Sequence, residues 1–166
     1  MRSSATARAA LPLALLLGGC AAPELAAGTA PLDPVAFFTG DSRGSGTLDP
    51  IVGGKAPVSV ESRGIRTGDT LTLTQRISEG DKPQRTRVWT IRTLPAGGYL
   101  STLTDAKGPV SVDVRGPRAY LAYTTPSGLR IKQQLALQPD GRTILNRLEA
   151  YKFGIRVAVL NETIRK

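Results

Sequence analysis

The chain of 166 residues contains no histidine, one cysteine, one methionine and one tryptophan. Without His there is no Ser-His-Asp or Cys-His nucleophile, no Cys/His zinc site and no haem held by the usual imidazole. A single Cys cannot close an internal disulfide. Aromatic residues make up 5% and charged residues 21%, beside 40% apolar residues. That balance excludes both a disordered composition and a membrane bundle, and the length predicts one domain. Basic residues outnumber acidic ones by 22 to 13, a net charge of +9. They are scattered, with no Lys/Arg block and few aromatics beside them, so nucleic acid is not the expected partner.

The longest apolar run, AALPLALLLGG, follows the basic segment MRSSATAR and stops at Cys20. It falls short of the roughly 20 residues a helix needs to cross a bilayer. A basic start, a short apolar stretch and small residues before a cleavage point make a secretory signal over residues 1–19. Leu17-Gly18-Gly19-Cys20 resembles the bacterial lipobox, in which the Cys becomes the acylated first residue. The alternative is an ordinary signal peptide that ends near a Cys. The thiol would take a diacylglyceryl group as a thioether, with an N-acyl group such as palmitate added. Each buried methylene contributes about 0.8 kcal/mol, so two or three chains hold the protein at a membrane without a spanning helix. Ala21 follows Cys20 where an Asp would resemble an inner-membrane retention signal, so by that analogy the expected place is the periplasmic face of the outer membrane. Removal of residues 1–19 takes Arg2 and Arg8 and leaves 147 residues with a net charge of +7. Such a surface is attracted weakly, per charge, to an anionic leaflet, and the attraction is screened within about 8–10 Å.

Residues 20–31 continue as CAAPELAAGTAP, small and punctuated, which reads as a flexible tether. Leu32-Asp33-Pro34-Val35-Ala36-Phe37-Phe38 places Asp before Pro, as at a helix start, and predicts one turn whose Phe37 and Phe38 plug a core. Turn signals then recur at short intervals, from Gly53-Gly54 to Pro139-Asp140-Gly141. Between them lie PVSVESR, TLTLTQRI, RVWTIRTL, YLSTLT, VSVDV, AYLAYTT and LRIKQQLAL, with GIRVAVLNETI last. TLTLTQ puts Leu71 and Leu73 on one face; VSVDV puts Val110, Val112 and Val114 on one face. Short strands with hairpin-length connections predict an all-β domain over residues 32–166. The expected architecture is an up-and-down antiparallel β-barrel of about 8–10 strands, because closure removes exposed edges; a sandwich is the alternative.

Leu145-Asn146-Arg147, Lys152-Phe153-Gly154 and Val157 form a pattern with Phe37-Phe38-Thr39-Gly40, Arg87-Val88-Trp89, Gly116 and Tyr123. This pattern resembles a family of bacterial lipoproteins, domain-of-unknown-function family 3833, and covers most of residues 35–166. The resemblance implies a lipocalin-like fold and a role linked to membrane acyl lipids. Relatives tend to carry a Gly-Glu pair just after the position of Val157. Ala158 and Val159 stand there in this chain, so no acidic site residue is carried over.

The candidate ligand-binding residues are Arg87, Trp89, Tyr123 and Arg147. Trp89 either lines a lumen or packs the core, where the largest side chain buries most area. Arg87 shares its face with Trp89 and Ile91, and an inward Arg87 would make a pocket for an amphipathic anion; otherwise its stem covers the exterior. Arg147 could grip a carboxylate or phosphate through its planar fork, or latch across an aromatic at the closed end. Lys152, before Phe153-Gly154, turns the chain into its last strand. Neither a metal nor a cofactor is expected beyond the acyl groups on Cys20, and no catalytic residues are assigned. The sequence thus supports an envelope lipoprotein whose barrel binds a small amphipathic or acyl-containing ligand. Its rivals are a structural or assembly lipoprotein with a filled barrel that binds another envelope protein, and an enzyme acting on acyl lipids.

Overall fold

Leu71 and Leu73 are fully buried while Thr72 and Thr74 between and beyond them face solvent, the period-two signature of a strand with one face on a core. The same alternation runs through ten strands in the computed structural model, which describes residues 24–166. They are β1 (Gly40–Pro50), β2 (Ala56–Thr67), β3 (Thr70–Glu79), β4 (Arg85–Thr93) and β5 (Tyr99–Leu103), then β6 (Ser111–Arg115), β7 (Arg118–Thr124), β8 (Arg130–Leu137), β9 (Thr143–Lys152) and β10 (Ile155–Arg165). One short helix, α1 (Pro34–Phe38), precedes them. The signal segment, the lipobox residues Leu17, Gly18 and Gly19, and Cys20 lie outside the described residues.

The strands form one antiparallel sheet in the order β5-β4-β3-β2-β1-β10-β9-β8-β7-β6. Each strand pairs with its sequence neighbour except β5 and β6, and β1 pairs with β10. The curled sheet brings β5 and β6 together at a seam, where the Val110 N–H donates to the Ser101 carbonyl at 2.9 Å. The result is a nearly closed up-and-down barrel. The sheet contains two strands that the runs above did not mark: β9, TILNRLEAYK, and β1, GDSRGSGTLDP, whose inward positions Ser42, Gly44 and Gly46 are small and leave only Leu48 as an apolar signal.

One end of the barrel is shut by α1. Asp33 caps it, its carboxylate accepting from the Val35 and Ala36 N–H groups at 2.9 and 3.1 Å, and Pro34 supplies a preset first turn. Phe37 and Phe38 meet edge to face at 5.0 Å, and Phe38 meets Trp89 at 6.1 Å. Around them pack Leu71, Leu73, Ile91, Leu135, Ile144 and Ile164. Burial of each such side chain contributes about 1.5–3 kcal/mol, so this plug is the main apolar core. Gly64 on β2 lets the helix approach: a Cβ there would lie 1.8 Å from the Phe38 carbonyl oxygen.

From Glu24 onward the segment expected to be a tether lies along the outside of β7 and β8. The Leu25 N–H donates to Gln134 Oε1 at 3.2 Å and the Gly28 N–H to the Leu137 carbonyl at 2.7 Å. Arg118 donates to the Leu25 carbonyl at 2.9 Å, and the Tyr120 hydroxyl to Glu24 at 2.6 Å. Outward polar side chains of β7 and β8 thus supply the partners that the strap's own backbone lacks. The strap starts at mid-height and runs to the closed end, where the Leu32 N–H donates to the Gly116 carbonyl at 2.8 Å.

Candidate functional site

Halfway up the barrel the inward positions change from apolar to polar. Ser62, Gln75 and Arg87 stand side by side on β2, β3 and β4, and Asn146 stands beside Glu162 on β9 and β10. Arg87 Nε donates to Gln75 Oε1 at 2.8 Å, and Gln75 Nε2 donates to the Ser62 hydroxyl at 3.1 Å. On the other wall Gln133 Nε2 donates to Asn146 Oδ1 at 2.9 Å, and Asn146 Nδ2 donates to Glu162 Oε2 at 2.6 Å. The two arms make a polar belt in which the charge of Arg87 acts on Glu162.

The glycines of β1 make room for this acid. A Cβ at Gly44 would lie 1.8 Å from Glu162 Oε1, and one at Gly46 would lie 2.7 Å from the Glu162 Cα. Burial pushes the Glu162 carboxyl above the usual Glu range; the Asn146 hydrogen bond and the Arg87 charge oppose that shift only in part. Burial likewise raises the Tyr123 phenol, with Arg87 opposing. Among the described residues no carboxylate forms a salt bridge with Arg87. The belt therefore presents a cation facing an acid whose burial favours its neutral form.

The belt divides the lumen. Below it, toward α1, a cavity of about 30 Å³ is left among Trp89, Leu121, Leu135 and Ile164, enough for water and no more. Above it, a cup of about 220 Å³ lies within the other end of the barrel. Its walls are Leu48, Val58, Val60, Ile77, Leu148 and Leu160, and Arg87, Tyr123, Asn146 and Glu162 reach it from the belt. Val58, Val60 and Ile77 form an apolar cluster separate from the main core, with Leu48 and Leu160 packed against it. At the rim Arg85 pairs with Asp105. Among the described residues no three Asp, Glu, Cys or His side chains gather where they could hold a metal ion. No described helix is long and apolar enough to cross a membrane.

Of the four candidate residues, the structure brings Arg87, Trp89 and Tyr123 to the lumen. Trp89 belongs to the filled lower half, its indole N–H donating to the Ser101 hydroxyl. Arg147 lies elsewhere. Ile144, Asn146 and Leu148 point inward, so Arg147 points out and donates to Glu149 at 3.0 Å, as does Arg156. It is neither a ligand fork inside the barrel nor a latch across the plug. Burial opposes charge on Glu149, but Tyr151, Arg147 and Arg156 outweigh it and hold the carboxyl below its usual range. An acid does reach the lumen, although none was carried over from the family pattern: it is Glu162, not position 158 or 159. Gln75, Gln133, Asn146 and Glu162 were missed as site residues. Their signal was parity, since Glu162 shares its face with Leu160 and Ile164.

Because burial raises its pKa, Glu162 holds its proton more tightly folded than unfolded. Its contribution to stability is complete below the unfolded carboxyl value of about 4.3 and is lost as pH rises through the folded value. Glu162→Gln keeps an acceptor for Asn146 and removes the titration. The variant is expected to gain stability over wild type as pH is raised from about 4 to neutrality. Urea midpoints across that range measure the gain, and parallel pH profiles for the two proteins would contradict it.

A closed-end plug, a polar belt and an apolar cup in a ten-stranded meander define a lipocalin-like antiparallel barrel. The chain belongs to the Protein of unknown function (DUF3833) family, whose model matches residues 14–166. Among solved structures it is similar to the S-type phycobiliprotein lyase CPES from Guillardia theta, with a TM-score of 0.55 and 8% identity over 80% of this chain and 89% of that one. At that identity the likeness is one of fold. No curated protein matches the chain.

Proposed function

We propose that this protein is an envelope lipoprotein that holds one small amphipathic molecule, anionic at its head, in the cup of its barrel. The observation that carries the reading is Arg87 at the base of a cavity walled by Val58, Val60, Ile77, Leu148 and Leu160. A carboxylate or phosphate head would meet the guanidinium, and an alkyl tail would lie along the wall. At about 220 Å³ the cup is below the roughly 300–1,000 Å³ of drug-sized ligand sites, so it suits a short acid or one end of a longer acyl chain. A diacylglyceryl thioether and an N-acyl group on Cys20 would hold the barrel at the periplasmic face of the outer membrane. The second reading, a structural lipoprotein that docks another envelope protein, is favoured by the filled lower half around Phe38 and Trp89.

Native mass spectrometry of the protein extracted from its envelope in mild detergent tests both parts. We expect a first residue Cys20 carrying the acyl mass, together with a non-covalent adduct of a few hundred daltons (roughly the size of a small lipid acid, given the cup). An unmodified thiol overturns the anchor; a protein that is empty and gains no adduct with decanoate overturns the ligand.

A further inference from the structure

We infer that the mouth of the barrel seats on an anionic lipid surface through the tips of two neighbouring hairpins. Six large apolar side chains are exposed among the described residues, and four of them cluster at the mouth: Ile51 and Val52 after β1, and Phe153 and Ile155 around the β9–β10 turn. The hairpins are adjacent because β1 pairs with β10, and the Ile51 N–H extends that ladder to the Val157 carbonyl at 2.8 Å. Phe153 is 93% exposed and has a φ of 50°, the left-handed conformation that a tight turn normally gives to Asn, Asp or Gly. The Lys152 ammonium lies 5.4 Å from its ring centre, but so exposed a ring gains little from packing while its backbone is strained, so its use lies outside the barrel.

Cations outnumber acids beside this tip. Arg130, Lys132, Lys152 and Arg156 lie beside it on β8, β9 and β10, and the acid among them, Glu149, is paired with Arg156 and with Arg147 at mid-height. Elsewhere around the mouth Asp49, Glu79 and Asp105 are paired with Lys55, Lys82 and Arg85; Asp81 has no cationic partner among the described residues. A basic collar behind an exposed aromatic and aliphatic tip matches an anionic headgroup layer over an acyl interior. The same collar repels a second copy of itself, which disfavours a face-to-face dimer. The strap agrees: it ascends from the closed end to Glu24 at mid-height, so its N-terminal end points toward the mouth. Cys20 is four residues further, at most about 14 Å of chain.

The seating depends neither on what the cup holds nor on acylation, and its test reads the tip alone, so its failure leaves the ligand reading standing. Full-length Phe153→Trp, Ile51→Trp and Ala96→Trp, the last in the closed-end β4–β5 turn, are bound to vesicles with brominated acyl chains. Trp89 is buried in the plug and gives a constant background, subtracted with wild type. On phosphatidylglycerol vesicles the added Trp at 153 and at 51 should shift to the blue and lose roughly half its emission, as expected for side chains about 5–10 Å into the headgroup–acyl boundary. The Trp at 96 should not change, and phosphatidylcholine should give a weaker effect. Equal quenching at 96 and 153, or none at 153 and 51, overturns the proposal. So does a blue shift at 153 that grows with protein concentration without lipid, which would identify a second copy as the occupant. Because the two reporters lie on different hairpins, misfolding of one variant leaves the other to decide.

Discussion

Gly64→Ala is expected to destabilise the barrel by about 3 kcal/mol, the upper end of the cost of overfilling a packed core. The added methyl would sit 1.8 Å from the Phe38 carbonyl oxygen and 3.0 Å from a Leu71 methyl. Neither neighbour can yield. The oxygen belongs to the last turn of α1, pinned by Phe38 against Trp89, and Leu71 is fully buried. Gly64 does not adopt a positive φ, so Ala strains no torsion and the effect is purely one of contact. Urea unfolding should show a large drop in midpoint with an unchanged slope. The emission of Trp89 should also move toward the red in the folded baseline, as α1 lifts and water reaches the indole. A midpoint within error of wild type would mean that the plug is not seated on β2 as described.

Arg87→Met is expected to weaken decanoate binding roughly ten- to a hundredfold, since a hydrogen bond to a charged group is worth about 1.5–3 kcal/mol. Met keeps an apolar stem of similar reach but removes the charge that would meet the head, and it leaves Gln75 Oε1 without its donor. Decanol, with the same tail and no charge, separates the head from the tail. Its affinity should change by less than about twofold, because tail burial is proportional to area and the wall is untouched. Arg87→Lys should fall between, keeping the charge and losing the planar fork. Titrations followed through Trp89 emission measure all of these. Equal losses for decanoate and decanol would move the anionic head away from the belt.

The legible parts of this fold are those in which one residue type served both strand and core. TLTLT announced β3, and RVWTIRTL announced β4 with Arg87 and Trp89 on the inward face, because β-branched and apolar residues alternate there without interruption. Asp33-Pro34 and the paired phenylalanines announced the plug for equally local reasons. β1 was not legible because its inward positions answer to a neighbour rather than to a core. Gly44 and Gly46 are small so that the Glu162 side chain can cross them, and a run of Gly, Ser and Asp carries no strand propensity of its own. The belt was half legible. Arg87 stood out beside a Trp, whereas Gln75, Asn146 and Glu162 looked like solvent-facing residues until the parity of their strands set them inward. The same parity puts Arg147 outside on Glu149, although its chemistry suits a ligand fork or a latch across the plug as well.

The order of the strands carries a consequence for how the chain assembles. β1 to β5 form one run of hairpins and β6 to β10 another, so eight of the nine ladders join strands next to each other in sequence. The ninth, between β1 and β10, joins residues more than a hundred positions apart, such as Arg43 with Arg165. Each half can zip locally and early; the β1–β10 ladder must wait for a diffusive search whose entropy cost nothing local offsets. Two half-shells therefore come together along one line, with β1 as the hem that stitches them. Its glycine-rich backbone, a poor strand by itself, is held by β2 on one edge and takes β10 on the other.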